Sequence, residues 1–325
     1  MKNITFAQAT LEAMEEEMQR DPTIYVMGED LARQGGIFGQ FKGLPEKFPG
    51  RIIDSPISET AIVGSAVGAA LAGMRPVADM HFADFIGVCM DEIFNQMAKA
   101  SYMFGGQAHV PLVLRAPDGI MNQAAAQHSQ SVEAWFMHIP GLKVVTPSNP
   151  ADAKALLKAA IRDDNPVIFF ENKVLYRESG PVPEEEILLE IGKAKIARQG
   201  KDCTIVSYSV CMKNALAASE ILAKEGIECE VIDLYSISPW DKQTVINSVK
   251  KTHRLCVAHE AVKQGGVGAE VAATVAEEAM FYLDAPILRF GAPFVPCGFA
   301  PTLEKQCRVY PQDLVDGIRS IIKGA

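Results

Sequence analysis

The sequence lacks features that define several classes of protein. No apolar run approaches the roughly 18 residues that a membrane-spanning helix needs, so we expect no membrane span. Blocks of Lys and Arg are missing, and the net charge of -9 disfavours binding to nucleic acid, whose phosphates require clustered positive charge. The N-terminal residues are acidic and helical in pattern, unlike the basic start and apolar core of a secretory signal, so we expect a cytoplasmic protein.

Cysteine pairs and nucleotide-binding glycine motifs are also absent. The seven cysteines form no CxxC pair, which favours reduced, buried thiols over a disulfide framework or a metal site. No G-x-G-x-x-G follows a strand and opens a helix, and no G-x-x-x-x-G-K-[ST] occurs, so the sequence supports neither dinucleotide nor P-loop binding. Residues 264–268 (QGGVG) could hold an anion through backbone N–H groups, although an ordinary turn is the simpler interpretation.

Strand-like and helix-like segments alternate along most of the 325 residues. This alternation predicts two parallel-sheet α/β domains, because each parallel connection needs a crossover helix. An acidic, proline-containing stretch interrupts it, so we expect a first domain over 1–177, a linker over 178–195 and a smaller domain over 196–325. Within the first domain the pattern predicts helices over 6–20 and 91–104, and a loop over 32–49 with one short helix near 43–48.

The stretch Asp54 to Phe85 combines one acid with a smooth helix. Glu59 lies between a strand-like run and a segment of small apolar residues, which places it near the N-terminus of the predicted helix. The aligned peptide dipoles there favour an ionised acid, whereas burial opposes it. From local residues alone, the favoured explanation of Glu59 is an ordinary acid in the first turn after the capping Ser58.

The predicted loop Ala116 to Gln130 carries a histidine among hydrogen-bonding side chains. His128 stands beside Gln127, Ser129 and Gln130, and the loops that follow parallel strands are where α/β sheets place their chemistry. A surface histidine and a catalytic one are equally compatible with this context. The G-x-S-x-G elbow of a serine hydrolase is missing.

Taken together, these segments resemble the β subunit of the thiamine-diphosphate-dependent E1 component of 2-oxo acid and acetoin dehydrogenase complexes. The likeness covers nearly the whole chain, and its motifs occur in the family's order: residues 25–30 (YVMGED), 54–59 (DSPISE), 73–77 (GMRPV), 127–130 (QHSQ), 140–145 (PGLKVV), 152–154 (DAK), 160–163 (AIRD) and 165–167 (NPV). The resemblance implies a transketolase-like pyrimidine-binding domain followed by a transketolase C-terminal-like domain that serves assembly.

The resemblance also implies roles for individual residues. Glu59 matches the glutamate that bonds the pyrimidine nitrogen N1′ of thiamine diphosphate, Phe85 the aromatic residue that packs on that ring, and Ile57 a residue close to it. His128 matches the histidine that handles protons or orients the lipoyl group during acyl transfer. The family's structural potassium ion, bound through main-chain oxygens, would lie at Leu112, Ala160, Asp163 and Asn165.

One family motif is missing from this chain. The Gly-Asp-Gly motif and following asparagine that hold the cofactor's diphosphate and its Mg²⁺ do not occur, and Pro117-Asp-Gly119 does not fit them. The resemblance therefore implies that a separate α subunit carries them, in an α2β2 heterotetramer that docks to an E2 lipoyl acyltransferase core. The glycine-bearing helix after Glu59 is then expected to be an interface element.

Substrate choice is open at this point. Residues 102–106, 124–130 and 139–142 look closest to the acetoin-cleaving branch, although pyruvate and branched-chain 2-oxo acid subunits share most of them. A split transketolase acting on sugar phosphates is a rival interpretation, but it would need basic residues near the substrate, and the loops around His128 contain few. A scaffold that has lost its cofactor is disfavoured because Glu59, Phe85 and His128 are all present.

Overall fold

The computed structural model describes residues 1–323, which form two compact units. The first unit contains residues 1–118 and 135–191, and the second contains residues 119–134 and the chain from Gly192 onward. The segment 119–134 thus groups with the second unit although it lies inside the range expected for the first domain. Within the described residues no helix is both long and apolar enough to cross a membrane.

The first unit is built on a parallel sheet. Its strands are β1 (Lys2–Thr5), β2 (Ile24–Gly28), β3 (Ile52–Asp54), β4 (Arg75–Asp79), β5 (Val113–Asp118), β6 (Lys143–Val145), β7 (Val167–Asn172) and β8 (Ser179–Val182). Six of them pair in parallel in the order β6-β7-β5-β4-β2-β3, while β1 and β8 form a separate antiparallel pair. Strand β8 therefore lies within the stretch expected to be a linker.

Helices connect these strands, and their ends follow local sequence signals. They are α1 (Phe6–Arg20), α2 (Leu31–Gln34), α3 (Leu44–Lys47), α4 (Glu59–Leu71), α5 (Ala100–Met103), α6 (Glu133–Met137) and α7 (Pro150–Arg162). The helix predicted over 6–20 is confirmed, and a capping box between Thr5 and Gln8 begins it. The stretch 32–49 was predicted to contain one short helix near 43–48. The structure has that helix, α3, and also most of a second short helix, α2.

The stretch 91–104, predicted as one helix, is helical only in part and is irregular. The chain instead forms a 3₁₀ helix over Ala83–Cys89, a π-helix over Glu92–Met97 and only then α5. The Ala98 N–H donates to the oxygen of Ile93, five residues back, rather than four. Both irregular helices pack against α4. We attribute the departure from the regular helical repeat to these tertiary contacts, which cannot be inferred from the spacing of apolar residues in the sequence.

The second unit has its own sheet and its own core. Its strands are β9 (Lys195–Arg198), β10 (Cys203–Ser207), β11 (Cys229–Asp233), β12 (Ser236–Ser238), β13 (Leu255–Val262) and β14 (Leu288–Ala292), and its helices are α8 (Cys211–Ala223), α9 (Lys242–Thr252), α10 (Val267–Ala279), α11 (Pro301–Gln306) and α12 (Pro311–Lys323). The sheet order is β14-β13-β10-β11-β9, parallel except for the edge strand β9. Six of the chain's seven free cysteines are buried, and Cys297 is half-buried.

A turn in the first unit can tolerate only glycine. Gly141 has a φ of +100°, and a Cβ there would lie 2.0 Å from the Ala98 oxygen. We expect Gly141→Ala to lower the free energy of unfolding by at least about 2 kcal/mol, because it combines an unfavourable backbone angle with a steric clash. Guanidinium denaturation of the full chain measures this change.

Gly73 provides the matched control for that substitution. It has a similar φ of +93°, but a Cβ there would meet no atom within 4 Å. Gly73→Ala should therefore cost only the conformational part, about 1 kcal/mol. Equal losses in the two variants would show that the close approach of Ala98 is unimportant.

Candidate active site

The candidate site of the first unit lies where three parallel strands end. Gly28, the last residue of β2, is in register with Asp54 at the end of β3 and with Asp79 at the end of β4. A Cβ on Gly28 would lie 2.6 Å from the Asp79 oxygen, so only glycine permits these strand ends to approach so closely. The carboxyl ends of parallel strands form the edge at which α/β sheets bind ligands.

The chain that leaves this edge is fixed by a carboxylate. Asp54 accepts hydrogen bonds from the backbone N–H groups of Ala32 at 2.7 Å and Arg33 at 3.2 Å, which satisfies free donors in the first turn of α2. The Ser55 N–H donates to the Gly28 oxygen at 2.8 Å. These bonds hold the start of the segment that leads to Glu59.

Glu59 is the first residue of α4 and is only 9% exposed. The Ser58 side chain makes no capping hydrogen bond, contrary to the interpretation of Ser58 as an effective cap. The pKa of Glu29 is raised by burial and then by the negative charges of Glu59 and Asp30. Burial, with nearby carboxyl groups including Glu59, also raises the pKa of the Cys89 thiol to about 12. Glu59 therefore lies in a poorly hydrated setting among other acidic groups.

Phe85 belongs to the 3₁₀ helix Ala83–Cys89, which packs directly against α4. Its ring is half-buried and lies 6.1 Å from the Phe82 ring, centroid to centroid. The Lys173 ammonium stands 4.6 Å from the centre of the Phe82 ring and forms a buried ion pair with Asp84 at 3.1 Å. The structure thus brings together the two elements that carry Glu59 and Phe85. Ile57, just before α4, is 82% exposed.

His128 lies in the second unit, in a short 3₁₀ turn over Ala126–His128. Its Nδ1 is 2.6 Å from the oxygen of Gln127, and because a carbonyl only accepts, Nδ1 must carry the proton. Chemistry at this ring therefore falls to Nε2. The Gly119 N–H donates to the Gln130 oxygen at 2.9 Å and closes the base of this loop. We call residues 119–134 the His128 loop.

The residues expected to hold potassium gather around one turn of the first unit. The oxygen of Leu112 accepts from the Val167 N–H at 2.9 Å, and the oxygen of Ala160 from the Asp163 N–H at 3.3 Å. The Asp163 carboxylate accepts from the backbone N–H of Asn165 at 2.9 Å. Carbonyl oxygens suit a hard cation and have a second lone pair, so the donor chemistry fits a potassium ion.

Two cationic side chains also reach this turn. Arg75 donates to the main-chain oxygen of Asp163 at 3.1 Å, and Lys143 bonds the Asp163 carboxylate. Burial opposes the charged form of Asp163, but the hydrogen bonds from Lys143 and Asn165 and the charge of Lys143 outweigh it and lower the pKa of this carboxyl group. Any ion bound there would share the Asp163 oxygens with two positive groups. In the part of the chain that is described, no cluster of three His, Cys, Asp or Glu side chains is arranged for a metal.

Sequence reasoning missed several residues at these sites. Glu29 follows β2 directly, so its position after a buried strand could have drawn attention to it. No local sequence pattern identifies the residues that contact or belong to the His128 loop, which are Glu133, Glu260, Glu304 and Arg308.

Both parts of the chain match known domains. Residues 2–179 match the family described as "Transketolase, pyrimidine binding domain", and residues 192–314 match "Transketolase, C-terminal domain". A solved structure titled "Split gene transketolase, inactive beta4 tetramer" superimposes with a TM-score of 0.82, at 24% identity and with 98% of each chain covered. Together these define a two-domain thiamine-diphosphate-type fold and confirm the predicted fold class.

Curated relatives cover almost the entire chain. The β subunit of an acetoin:2,6-dichlorophenolindophenol oxidoreductase from Cupriavidus necator is 45% identical, with 99% of this chain and 98% of that protein covered. The 2-oxoisovalerate dehydrogenase β subunit of Bacillus subtilis is 44% identical, with 99% of each covered, and the pyruvate dehydrogenase E1 β subunit of Rickettsia felis is 46% identical, with 98% of each covered. The chain belongs to the family of β subunits of thiamine-diphosphate-dependent E1 dehydrogenases, which confirms the resemblance seen in the sequence.

Proposed function

We propose that this chain supplies the aminopyrimidine half of a thiamine diphosphate site and that Glu59 bonds the ring nitrogen N1′. The observation that carries the proposal is the placement of Glu59, nearly buried at the first residue of α4, against the 3₁₀ helix that contains Phe85. A carboxyl group shielded from water interacts strongly with a ring nitrogen, because little solvent screens the contact. Phe85 would pack on the ring, and Ile57 would lie beside it.

Each side chain then has a limited task. Bound thiamine diphosphate supplies a carbanion at the thiazolium C2, a reagent that no protein side chain provides. Glu59 would hold the pyrimidine ring at N1′ and share a proton with it at its carboxyl oxygen. His128 handles a proton at Nε2, or orients the lipoyl group, while the acyl group passes to a lipoyl sulfur.

We propose acetoin as the first substrate to test, ahead of pyruvate and a branched-chain 2-oxo acid. The named relatives act on all three classes, and their identities of 45%, 46% and 44% do not separate them. The motifs around residues 102–106, 124–130 and 139–142 support acetoin.

Membership of this family implies an α subunit partner. The part of the cofactor site that the α subunit supplies belongs to the proposal. This chain has no Gly-Asp-Gly motif for a diphosphate-bound Mg²⁺, so we propose that the α subunit holds that end of the cofactor in an α2β2 assembly. Helix α4 supports a close subunit contact, because its outward positions include the small residues Ala61, Ser65 and Gly68. An E2 lipoyl acyltransferase core would receive the acyl group.

We also propose a structural potassium ion on the main-chain oxygens of Leu112, Ala160, Asp163 and Asn165. The main-chain oxygens of Leu112 and Ala160, which accept from the N–H groups of Val167 and Asp163, support it, because both contacts lie beside the turn that contains Asn165. The ion would stiffen the connection between α7 and β7, with Arg75 and Lys143 at its margin.

Reconstitution tests the division of the cofactor site. We expect the isolated chain to bind thiamine diphosphate weakly and to show no turnover, and addition of the α subunit with Mg²⁺ to restore both. Calorimetric titration measures binding, and reduction of 2,6-dichlorophenolindophenol measures turnover on acetoin, pyruvate, 2-oxoisovalerate and a ketose phosphate. Each substrate is compared by its kcat/KM.

The outcomes of this experiment separate the alternatives. Tight cofactor binding and full activity of the isolated chain would contradict a site shared with an α subunit. A preference for the ketose phosphate would favour the split transketolase. A preference for pyruvate or 2-oxoisovalerate would correct the substrate and leave the shared site intact.

A further inference from the structure

The His128 loop has a strained backbone. Among the described residues only five other than glycine have a positive φ, and two of them, Gln123 at 56° and Ala125 at 61°, lie in this loop. Ala125 also has a ψ of −167°, which takes it outside the left-handed region that non-glycine residues usually occupy. A backbone in such conformations persists only where surrounding groups hold it.

Two carboxylates of the second unit hold the entry to this loop. Glu260 in β13 accepts the Ile120 N–H at 2.9 Å, and Glu304 in α11 accepts the Gln123 N–H at 2.5 Å. Both acids are buried, at 8% and 7% exposure. Charge-assisted bonds of this kind are stronger than bonds between neutral groups, so they are suited to keeping a strained loop in place.

One guanidinium group connects the two carboxylates. Arg308 donates to Glu304 Oε1 at 3.0 Å and lies 3.6 Å from Glu260 Oε2, so it compensates both charges. The same side chain donates to the Ile120 oxygen at 3.1 Å. Ile120 is therefore held through both its N–H and its carbonyl. We call Glu260, Glu304 and Arg308 the loop anchor.

The far end of the loop is fixed separately. Glu133 is buried, and its Oε1 accepts the hydroxyl of Tyr208 at 2.6 Å. The Tyr208 ring is stacked on His259, with centroids 6.0 Å apart. With its base closed between Gly119 and Gln130, the segment between these points has little freedom. His128 lies within it, and its ring bonds the main-chain oxygen of its own neighbour, Gln127.

We propose that Glu304 and Glu260, bridged by Arg308, are positioning residues that set the place of His128 for acyl transfer to the lipoyl group. The inference rests on the role proposed above for His128. Because the imidazole is oriented by the loop backbone, a shift of that backbone moves the ring with it. Small displacements of a reacting group are costly, since catalysis depends on close approach and alignment.

Two acceptors separate positioning of His128 from stability of the fold. With an artificial electron acceptor the enzyme needs the substrate and cofactor sites, whereas with a lipoyl domain it also needs His128. In the assembled α/β enzyme, we expect Glu304→Gln and Glu260→Gln to lower kcat with the lipoyl domain at least about tenfold. We expect turnover with 2,6-dichlorophenolindophenol to stay within about twofold of the wild type.

Matched variants complete the test. Glu277→Gln, an exposed residue of α10, should change neither activity. The double variant Glu304→Gln/His128→Gln should be within about threefold of His128→Gln alone, because two residues serving one function are not additive.

Each contrary outcome has a defined meaning. If His128→Gln slows lipoyl transfer and Glu304→Gln and Glu260→Gln do not, the positioning inference is overturned and the role of His128 stands. Equal losses with both acceptors would show a general structural effect and overturn it as well. If His128→Gln itself leaves lipoyl transfer unchanged, both the proposed role of His128 and the inference built on it are wrong.

Discussion

Replacing Glu59 by glutamine is expected to lower turnover of the assembled enzyme by about 10²- to 10⁴-fold, the range typical of lost proton-transfer catalysis. The amide has nearly the shape of the carboxyl group but cannot share a proton with a ring nitrogen. Because Glu59 begins α4 and is nearly buried, the change replaces one carboxyl oxygen by an amide group of similar size and leaves the packing of the helix in place. The loss should therefore appear in activity and not in folding.

Two measurements identify the step affected by Glu59→Gln. Exchange of the thiazolium C2 proton with deuterium, followed by NMR, should slow in parallel with turnover. Glu46→Gln, at an exposed position of α3, serves as the control and should match the wild type in both. Retained turnover in Glu59→Gln would remove this residue from the mechanism, and slow turnover with normal proton exchange would assign it to a later step.

The second large effect is expected in the core of the first unit. Arg115 on β5 and Glu171 on β7 are both fully buried, and the guanidinium donates to the carboxylate through two bonds of 2.9 and 2.8 Å. Arg115→Met would leave Glu171 buried without its partner. We expect a loss of about 3–5 kcal/mol in the free energy of unfolding, the usual cost of breaking such a pair.

Asp79 adds to the cost of losing Arg115. Burial raises the pKa of this carboxyl group to about 7, while Arg115 counteracts the shift and Glu171 increases it. Without the guanidinium, two acids would face each other in a region of low polarity. Glu171→Leu added to Arg115→Met should recover most of the lost stability, because an apolar pair of similar volume needs no charge compensation.

Denaturant titration of the full chain measures the free energy of unfolding of four proteins: the wild type, Arg115→Met, Glu171→Leu and the double variant. A double variant no more stable than Arg115→Met would show that the packing of the arginine, including its position 4.8 Å above the Phe41 ring, matters more than its charge. Such a result would contradict the interpretation of the ion pair as the source of the loss.

Local signals predicted much of the fold. The apolar spacing over residues 6–20 predicted α1, and the alternation of strand-like with helix-like segments predicted both sheets. The region 83–104 shows the limit of such signals. Its 3₁₀ and π turns depend on packing against α4, and the apolar spacing of a π turn closely resembles that of an ordinary helix.

The candidate site was predictable only in part. Roles for Glu59, Phe85 and His128 could be predicted because the motifs around them resemble those of a family. The structure places Glu59 at the start of a helix, as the neighbouring residues indicate. The loop anchor could not be assigned in this way. Glu260 bonds a residue 140 positions away, Glu304 one 181 positions away, and only the folded chain brings them together.

The path of the chain between its two units bears on how such proteins can recombine. The chain enters the second unit at Gly119, leaves it after Ala134 and returns at Gly192. A gene crossover near codon 191 would exchange the loop anchor while keeping the old His128 loop. Chimeras between relatives should therefore function best when the segment 119–134 is inherited together with the C-terminal part, although the two stretches are separate in the gene.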